Sequence, residues 1–520
     1  MKSRLAIPLV VCLGTLTACL DLDIVSNQNA PRARDILSDP ATLEMLVAGT
    51  WQTAWKYNED LIYTYQGMGL YGLEANNGTA SYLHMGGGEP KEAYSNDEQQ
   101  DNRRLAQEPW YKIYEGIDDA VQALRLIEQE GMKLEQPDRA RAWAYLNMGT
   151  LYSMLALIFD QASISLPSTD RSKADWWHYK PYPEVAAVAI QLLEKAIEIA
   201  ETAEPFQTPS EWASGVVIDN ALLSKIAHSY IARTMVLLAR TPEERRDVSQ
   251  GGIVDWARVI EHVDRGITED FAPMMDPNGI KSAYIQNRQS FLSSRASNRL
   301  IGPADISGAY AEWMAKPIPE RARFVVVTHD RRITGAEDDG TPAPTAPGTY
   351  FRYTTSNTAT WPTYLHGHYY WYRYEGRYRE GRKTILSVDE MNLFKAEAYY
   401  RLGRYQEAAD LINITRVGNG KLPPVTAAGI AEGIDDCVPR SFDGTECGTL
   451  LDALHHERMI ENTGLSMYYL WWDRRGFGTL AKGTPVHLPV PARELFMMQQ
   501  SWYTTGGDYG SAADGIAKVR

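Results

Sequence analysis

The stretch "SVDEMNLFKAEAYYRLGRYQEAADLINITRV", Ser387–Val417, decides the fold. It places Ala396, Tyr399, Gly403, Tyr405, Ala408 and Ile412 at the spacing of a tetratricopeptide unit. In such a unit small residues let two antiparallel helices approach, and an aromatic wedges between them. Single units cannot bury their apolar faces alone, whereas a stack of them can. The neighbouring sequence is therefore expected to carry more helix pairs.

Two looser copies lie upstream. Gly149 and Tyr152, followed by Tyr182 and Val185, make one, and Ala227 and Tyr230, followed by Trp256 and Val259, make the other. The repeat pairs are expected at about 139–203, 220–267 and 387–416, with long loops inside the first two. Helical periodicity also marks "DPATLEMLVAGTWQTAW", with Asp39 as N-cap and Pro40 in the first turn. It marks "WYKIYEGIDDAVQALRLIEQ" from Trp110 and "LLDALHHERMIENTG" near the C-terminus as well. Between Phe271 and Leu386 the pattern changes to Gly, Pro, Asn and aromatics. The expected fold class is mainly α: degenerate tetratricopeptide-like helix pairs forming a scaffold with long irregular loop insertions.

The first residues set the compartment. Lys2 and Arg4 precede an apolar run, Leu5–Ala18, and the sequence continues "LTACLDLD". A membrane-spanning helix needs about 20 apolar residues, so this run is too short to span. A positive start, a short apolar core and small residues describe a secretory signal. Leu16-Thr17-Ala18-Cys19 resembles the bacterial lipobox, in which the cysteine is acylated; the alternative is an ordinary signal with a chance cysteine. The expected organisation is a signal over 1–18, a lipid-anchored tether over 19–38 and one α domain over 39–520, with a loop-rich ligand region at about 271–386.

The chain of 520 residues carries a formal net charge of −14, with 44% hydrophobic and 23% charged residues. A nucleic-acid binder usually shows a basic stripe, and none is visible, so no nucleic-acid partner is expected. Cys437 and Cys447 sit in the turn-rich loop "DDCVPRSFDGTECGTLL". An exported protein meets oxidising conditions, so a disulfide between them is the natural reading, against two unrelated thiols.

Enzyme signatures are thin: GxSxG, HExxH and Walker loops are absent. His455, His456 and Glu457 adjoin on a helix, where neighbouring side chains diverge by about 100° and chelate poorly. His366 and His368 have strand spacing, but a third ligand is not evident. "DPNG", Asp276–Gly279, reads as a turn. No cofactor, metal or catalysis is expected.

Aromatics are the stronger signal. From Tyr350 to Tyr378, 11 of 29 residues are aromatic, against 10% overall. Sugar rings stack their CH faces on flat aromatics, with polar residues at the edge to meet the hydroxyls. Packing is the competing reading, since "YRYEGRYR" could be a hairpin with cross-strand aromatic pairs. Trp361 and Tyr364, beside Pro362 in a Ser/Thr/Asn loop, are expected to be more exposed than Tyr369–Tyr374.

With these stretches laid out, the chain resembles the SusD/RagB family of outer-membrane lipoproteins. "LDIVSNQNAP" after a lipobox resembles the family's start. "WYKIYEGIDDA" is similar to its Trp-x3-Tyr-x2-Ile helix, and "RAWAYLNMGTLYSMLALIFD" to its first repeat helix. "KAEAYYRLGRYQEAADLIN" matches its "RAEA-RLG-A-IN" block, "HERMIENTG" its "ER-E-EG" helix, and "VHLPVPAREL" its "PIP-EL" closing motif. The likeness extends over residues 16–495. The chain departs from it at Ser466, where the family has arginine, and at Trp471, Trp472 and Asp473.

The resemblance implies a surface-exposed lipoprotein, anchored in the cell outer membrane through Cys19, that binds oligosaccharide without cutting it. It implies delivery to a SusC-like TonB-dependent transporter, on which the protein would sit as a lid. By order along the chain it places ligand contacts at Asn76, Tyr82 and Asn96, and at Tyr284, Arg295 and Trp313; Trp361 and Tyr364 join them from the aromatic run. The rivals are the same fold capturing a peptide or other non-glycan nutrient, and a tetratricopeptide scaffold that binds only proteins.

Overall fold

The side chain of Asp39 accepts a hydrogen bond from the Thr42 amide at 3.0 Å and starts helix α1, Pro40–Glu59. In the computed structural model, the described residues are 39–59, 75–76, 93–100, 103–173, 176–275, 282, 295–354, 363–366, 380–431 and 437–507. The expected signal over 1–18 and the expected tether over 19–38, with Cys19, lie outside them.

Helices α2 (Arg104–Leu124), α3 (Pro137–Ile158), α4 (Tyr182–Thr202), α5 (Asn220–Leu237) and α6 (Trp256–Asp264) follow. After the loop region come α9 (Val388–Arg401), α10 (Tyr405–Gly418), α11 (Leu450–Glu461), α12 (Tyr469–Phe477) and α13 (Ala492–Met497); the short α7 (Asn298–Ile301) and α8 (Ala309–Ala315) lie within that region. Strands are brief, so the architecture is mainly α, as expected. No helix among the described residues is long and apolar enough to cross a membrane.

The helix pairs pack where the spacing put them. Gly149 on α3 lies so close to α4 that a Cβ there would meet Leu193 Cγ at 2.7 Å and the Ala189 carbonyl oxygen at 3.1 Å. The α9–α10 turn runs through Gly403 at φ +76°, a left-handed geometry that favours glycine. Ala396, Ala408 and Ile412 are fully buried, while Tyr405 is exposed and leans on Tyr400. One apolar cluster runs from Leu43 on α1 to Leu495 on α13. The second helix departs from expectation at its start: it begins at Arg104 and takes in Pro109 at its sixth position, where proline has no N–H to offer the Leu105 carbonyl one turn back.

The helices also share buried charge. Arg245, in the loop after α5, donates to Glu397 of α9 at 2.8 Å and to Asp473 of α12 at 2.7 Å. Arg458 of α11 donates to the same two carboxylates. Arg233 of α5 grips Glu390 of α9 with two bonds of 2.6 Å. Burial alone would raise the Glu397 carboxyl, but the guanidiniums of Arg245 and Arg458 hold it well below the usual carboxylate range. The "KAEA" and "HERMIE" stretches thus meet in the interior. Asp473, at the departure from the family pattern, completes this network, and Trp471 donates to the Pro485 carbonyl at 2.7 Å.

Candidate functional site

The loop region is tied at its stem. The Phe271 amide donates to Leu386 O and the Ile385 amide to Phe271 O, both at 2.9 Å. Above the stem, four short antiparallel strands form one sheet in the order β1 (Ala75–Asn76), β2 (Arg295–Ala296), β4 (Tyr364–His366), β3 (Phe351–Tyr353). Asn76 stands opposite Arg295, Leu365 opposite both Arg295 and Arg352, and Tyr364 opposite Tyr353. Three residues selected from separate loops, Asn76, Arg295 and Tyr364, therefore share one sheet.

Their surroundings differ. Tyr364 is 1% exposed, and its hydroxyl donates toward Val326 O and Pro344 O while accepting from the Val326 amide, each at 3.1 Å. It is a packing residue, which corrects the expectation of exposure: its ring lies under the 324–326 segment. Arg295 is also buried, and that burial, with the Arg323 guanidinium nearby, pushes its own guanidinium below the ordinary arginine value.

Asn96 lies elsewhere. Its Nδ2 donates to Val490 O at 2.9 Å and Tyr503 O at 3.0 Å, and its Oδ1 accepts from the Ala492 amide at 3.0 Å. All three bonds hold the closing segment, so this side chain is a structural tie and does not face a ligand. Tyr82, Tyr284 and Trp361 lie outside the described residues, as do the "YRYEGRYR" and "DPNG" stretches and His368.

Trp313 on α8 is half-buried, which makes it the accessible aromatic of the described set of candidates. Tyr310, one turn earlier, stacks on it with centroids 6.1 Å apart and planes 16° apart. Phe324 packs at 6.1 Å. The Arg321 guanidinium lies 4.6 Å over the ring, held by the carbonyls of Met314 and Lys316. Thr363 donates to Phe324 O at 2.6 Å, which sets this cluster beside Tyr364 and the sheet. Sequence reasoning missed Arg321 and Phe324 as companions of Trp313. Tyr310 and Trp313 are three apart on a helix, a signal that was available; Phe324 comes together with them only through tertiary folding.

A second set of bonds fixes the loop region to the helices. Arg332 donates to Asp330 at 2.9 and 2.7 Å, to Glu457 at 2.5 and 2.9 Å, and to Glu461 at 2.7 Å. His456 Nε2 meets Asp330 at 2.9 Å, and Tyr350 donates to Glu461 at 2.8 Å. Burial would raise the Asp330 carboxyl, yet Arg332 and His456 hold it well below the usual range. Burial pushes the Glu461 carboxyl up to about 7; the Glu457 charge adds to the push and Arg332 opposes it. His455 instead faces Thr479 at 3.3 Å, so the two adjacent histidines diverge. Among the described residues no group of three His, Cys, Asp or Glu is placed to hold a metal ion. Cys437 and Cys447 are bonded to each other, with Cα atoms 5.8 Å apart.

The fold is similar to that of several solved SusD-like proteins. A SusD superfamily protein from Bacteroides thetaiotaomicron VPI-5482 aligns with a TM-score of 0.53 and 13% identity, over 88% of this chain and 96% of that one. A SusD-like protein from Bacteroides fragilis NCTC 9343 aligns with a TM-score of 0.54 and 13% identity, over 86% and 88%. A SusD-like carbohydrate binding protein from Bacteroides vulgatus ATCC 8482 aligns with a TM-score of 0.50 and 14% identity, over 85% and 84%. No family model and no curated protein matches the chain.

Proposed function

We propose that the protein captures oligosaccharide at the cell surface and passes it to a SusC-like TonB-dependent transporter, without catalysis. The reading rests on Trp313: a flat aromatic, half-buried and braced by Tyr310, Phe324 and Arg321, at the loop layer of a SusD-like fold. Stacking on such a ring suits the apolar face of a sugar. One structural neighbour is itself described as a carbohydrate binding protein. In this reading Asn76 and the loops carrying Tyr82, Tyr284 and Trp361 complete the platform. Arg295 underlies it, and Cys19 carries the lipid that anchors the chain to the outer membrane.

Calorimetric titration of the full chain with an oligosaccharide panel, followed by chromatography of the ligand, tests this. Saturable binding with unchanged ligand chain length is expected. Shortened ligand would replace the reading with a hydrolase, and binding of peptides alone would replace it with peptide capture.

A further inference from the structure

The Tyr310 ring is 1% exposed, and two glycines make room for it. A Cβ on Gly302, just after α7, would fall 2.2 Å from Tyr310 Cδ2 and 2.4 Å from Cε2. A Cβ on Gly444 would fall 2.9 Å from Tyr310 Cδ1, at the other edge of the ring. Gly444 also has φ +79°, a left-handed geometry that strains any side chain. Two backbone segments, far apart in sequence, thus close on one ring at distances that only glycine allows.

Gly444 lies in the loop whose ends are joined by Cys437 and Cys447. The same loop receives the Tyr310 hydroxyl, which donates to Phe442 O at 3.0 Å, 132 positions away. The loop is itself well fixed. The Arg440 amide donates to Pro303 O at 2.7 Å, the Ser441 amide to Glu446 O at 2.9 Å and the Gly444 amide to Ser441 O at 2.7 Å. Two residues past Cys447, Thr449 caps α11 by accepting from the Asp452 amide at 3.2 Å. Of the groups packed on Trp313, Arg321 is held by carbonyls at the end of α8, and Phe324 is tied to the sheet through Thr363. Tyr310 reaches instead to the disulfide loop and, through it, to the start of α11.

We infer that the disulfide-closed loop 437–447 orients the sugar platform: it grips Tyr310, and Tyr310 sets the plane of Trp313. Gly302 and Gly444 are then positioning residues. The inference rests on the reading of Trp313 as the platform. Stacking needs a ring whose plane is set in advance, because a ring already held loses little freedom when ligand arrives. The planes of Tyr310 and Trp313 lie 16° apart, so tilting the first ring removes the support under the second.

The test reads orientation and affinity separately, on the full chain with indole-¹⁵N-labelled tryptophan, the Trp313 signal being assigned by its loss in Trp313→Phe. Gly302→Ala drives a methyl into the Tyr310 ring. It is expected to shift the Trp313 signal and to leave those of the scaffold residues Trp143, Trp256 and Trp471 in place. Affinity for the oligosaccharide found by calorimetry is expected to fall roughly two- to tenfold, the worth of one aromatic pair. Tyr310→Phe, which removes the bond to Phe442, and the Cys437→Ser, Cys447→Ser double variant, which opens the loop, are expected to give smaller shifts confined to Trp313; they decide the matter if Gly302→Ala does not fold. A Trp313 signal unmoved in every folded variant would overturn the inference. So would scaffold signals moving together with Trp313, the mark of a merely structural loop, or unchanged sugar affinity in a variant whose Trp313 signal has moved. If the unmodified chain binds no sugar, the platform reading fails by itself, and the indole signals still decide whether the loop positions Trp313.

Discussion

The helical scaffold and the loop layer handle polar groups in opposite ways. In the scaffold, Arg245, Arg458, Glu397 and Asp473 are all fully buried and answer one another across α9, α11 and α12. In the loop layer, residues of equally suggestive chemistry divide. Tyr364 uses its hydroxyl to hold backbone, whereas Trp313 stays half-buried. Residue type alone therefore identifies a motif in the scaffold and fails to identify a platform in the loops. There, the decisive fact is whether backbone carbonyls have already claimed the side chain.

The largest expected effect breaks the scaffold side of this contrast. Glu397→Ala leaves two buried guanidiniums short of a carboxylate and is expected to cost about 3–5 kcal/mol in denaturant unfolding. Glu407→Ala, on the surface of α10, is expected to leave the unfolding midpoint unchanged. Similar midpoints for the two variants would show that the network contributes little.

The joint between the regions is next. Glu461 is raised from 4.5 to about 7, so between these values the folded chain holds a proton that the unfolded chain has released. Stability from this group is therefore full below about 4.5 and falls as pH rises toward 7, by on the order of 3 kcal/mol. Glu461→Gln removes the titrating group while its single amide oxygen can still accept from Arg332 and its NH2 can donate to the Tyr350 hydroxyl, and it should flatten that slope. An unchanged slope in unfolding measured from pH 4.5 to 7.5 would remove Glu461 as its source.

Within the loops the expected effects shrink. The Cys437–Cys447 bond closes a loop of sequence separation 10, and a Cys437→Ser, Cys447→Ser double variant is expected to lose about 2–3 kcal/mol. Intact mass after alkylation should show no free thiol at either position in the unmodified chain; two alkylated cysteines without reductant would contradict the pairing. Tyr364→Phe removes a hydroxyl serving Val326 and Pro344 and is expected to cost about 1–2 kcal/mol of stability. Its glycan affinity should stay at the level of the unmodified chain, and a loss there would return Tyr364 to the platform.

Much of the scaffold was legible because helices repeat. Ala396, Gly403 and Ala408 declare close packing at fixed spacing, and Asp39 declares a cap. The early start of α2 at Arg104 was hidden by Pro109, which reads as a boundary although it sits within the first turns. The stem was legible as well: the change of pattern at Phe271 and Leu386 falls on the two residues that pair.

The candidate site was less so. Asn96 stands in a Ser/Asn/Asp loop and reads as available, yet its three partners lie 394 to 407 positions away. Tyr364 sits beside Pro362 in polar sequence, but its burial comes from a segment some 38 positions upstream. No local pattern records contacts at that range. The union of Asn76, Arg295 and Tyr364 on one sheet is likewise a product of strand pairing between distant loops.

The central claim is that the loop layer binds sugar through Trp313. Its most direct test is calorimetric titration of Trp313→Ala with the oligosaccharide found for the unmodified chain. The account predicts affinity weakened by about 1–3 kcal/mol, as for truncating an aromatic anchor, with the unfolding midpoint little changed. Unaltered affinity in Trp313→Ala would contradict it.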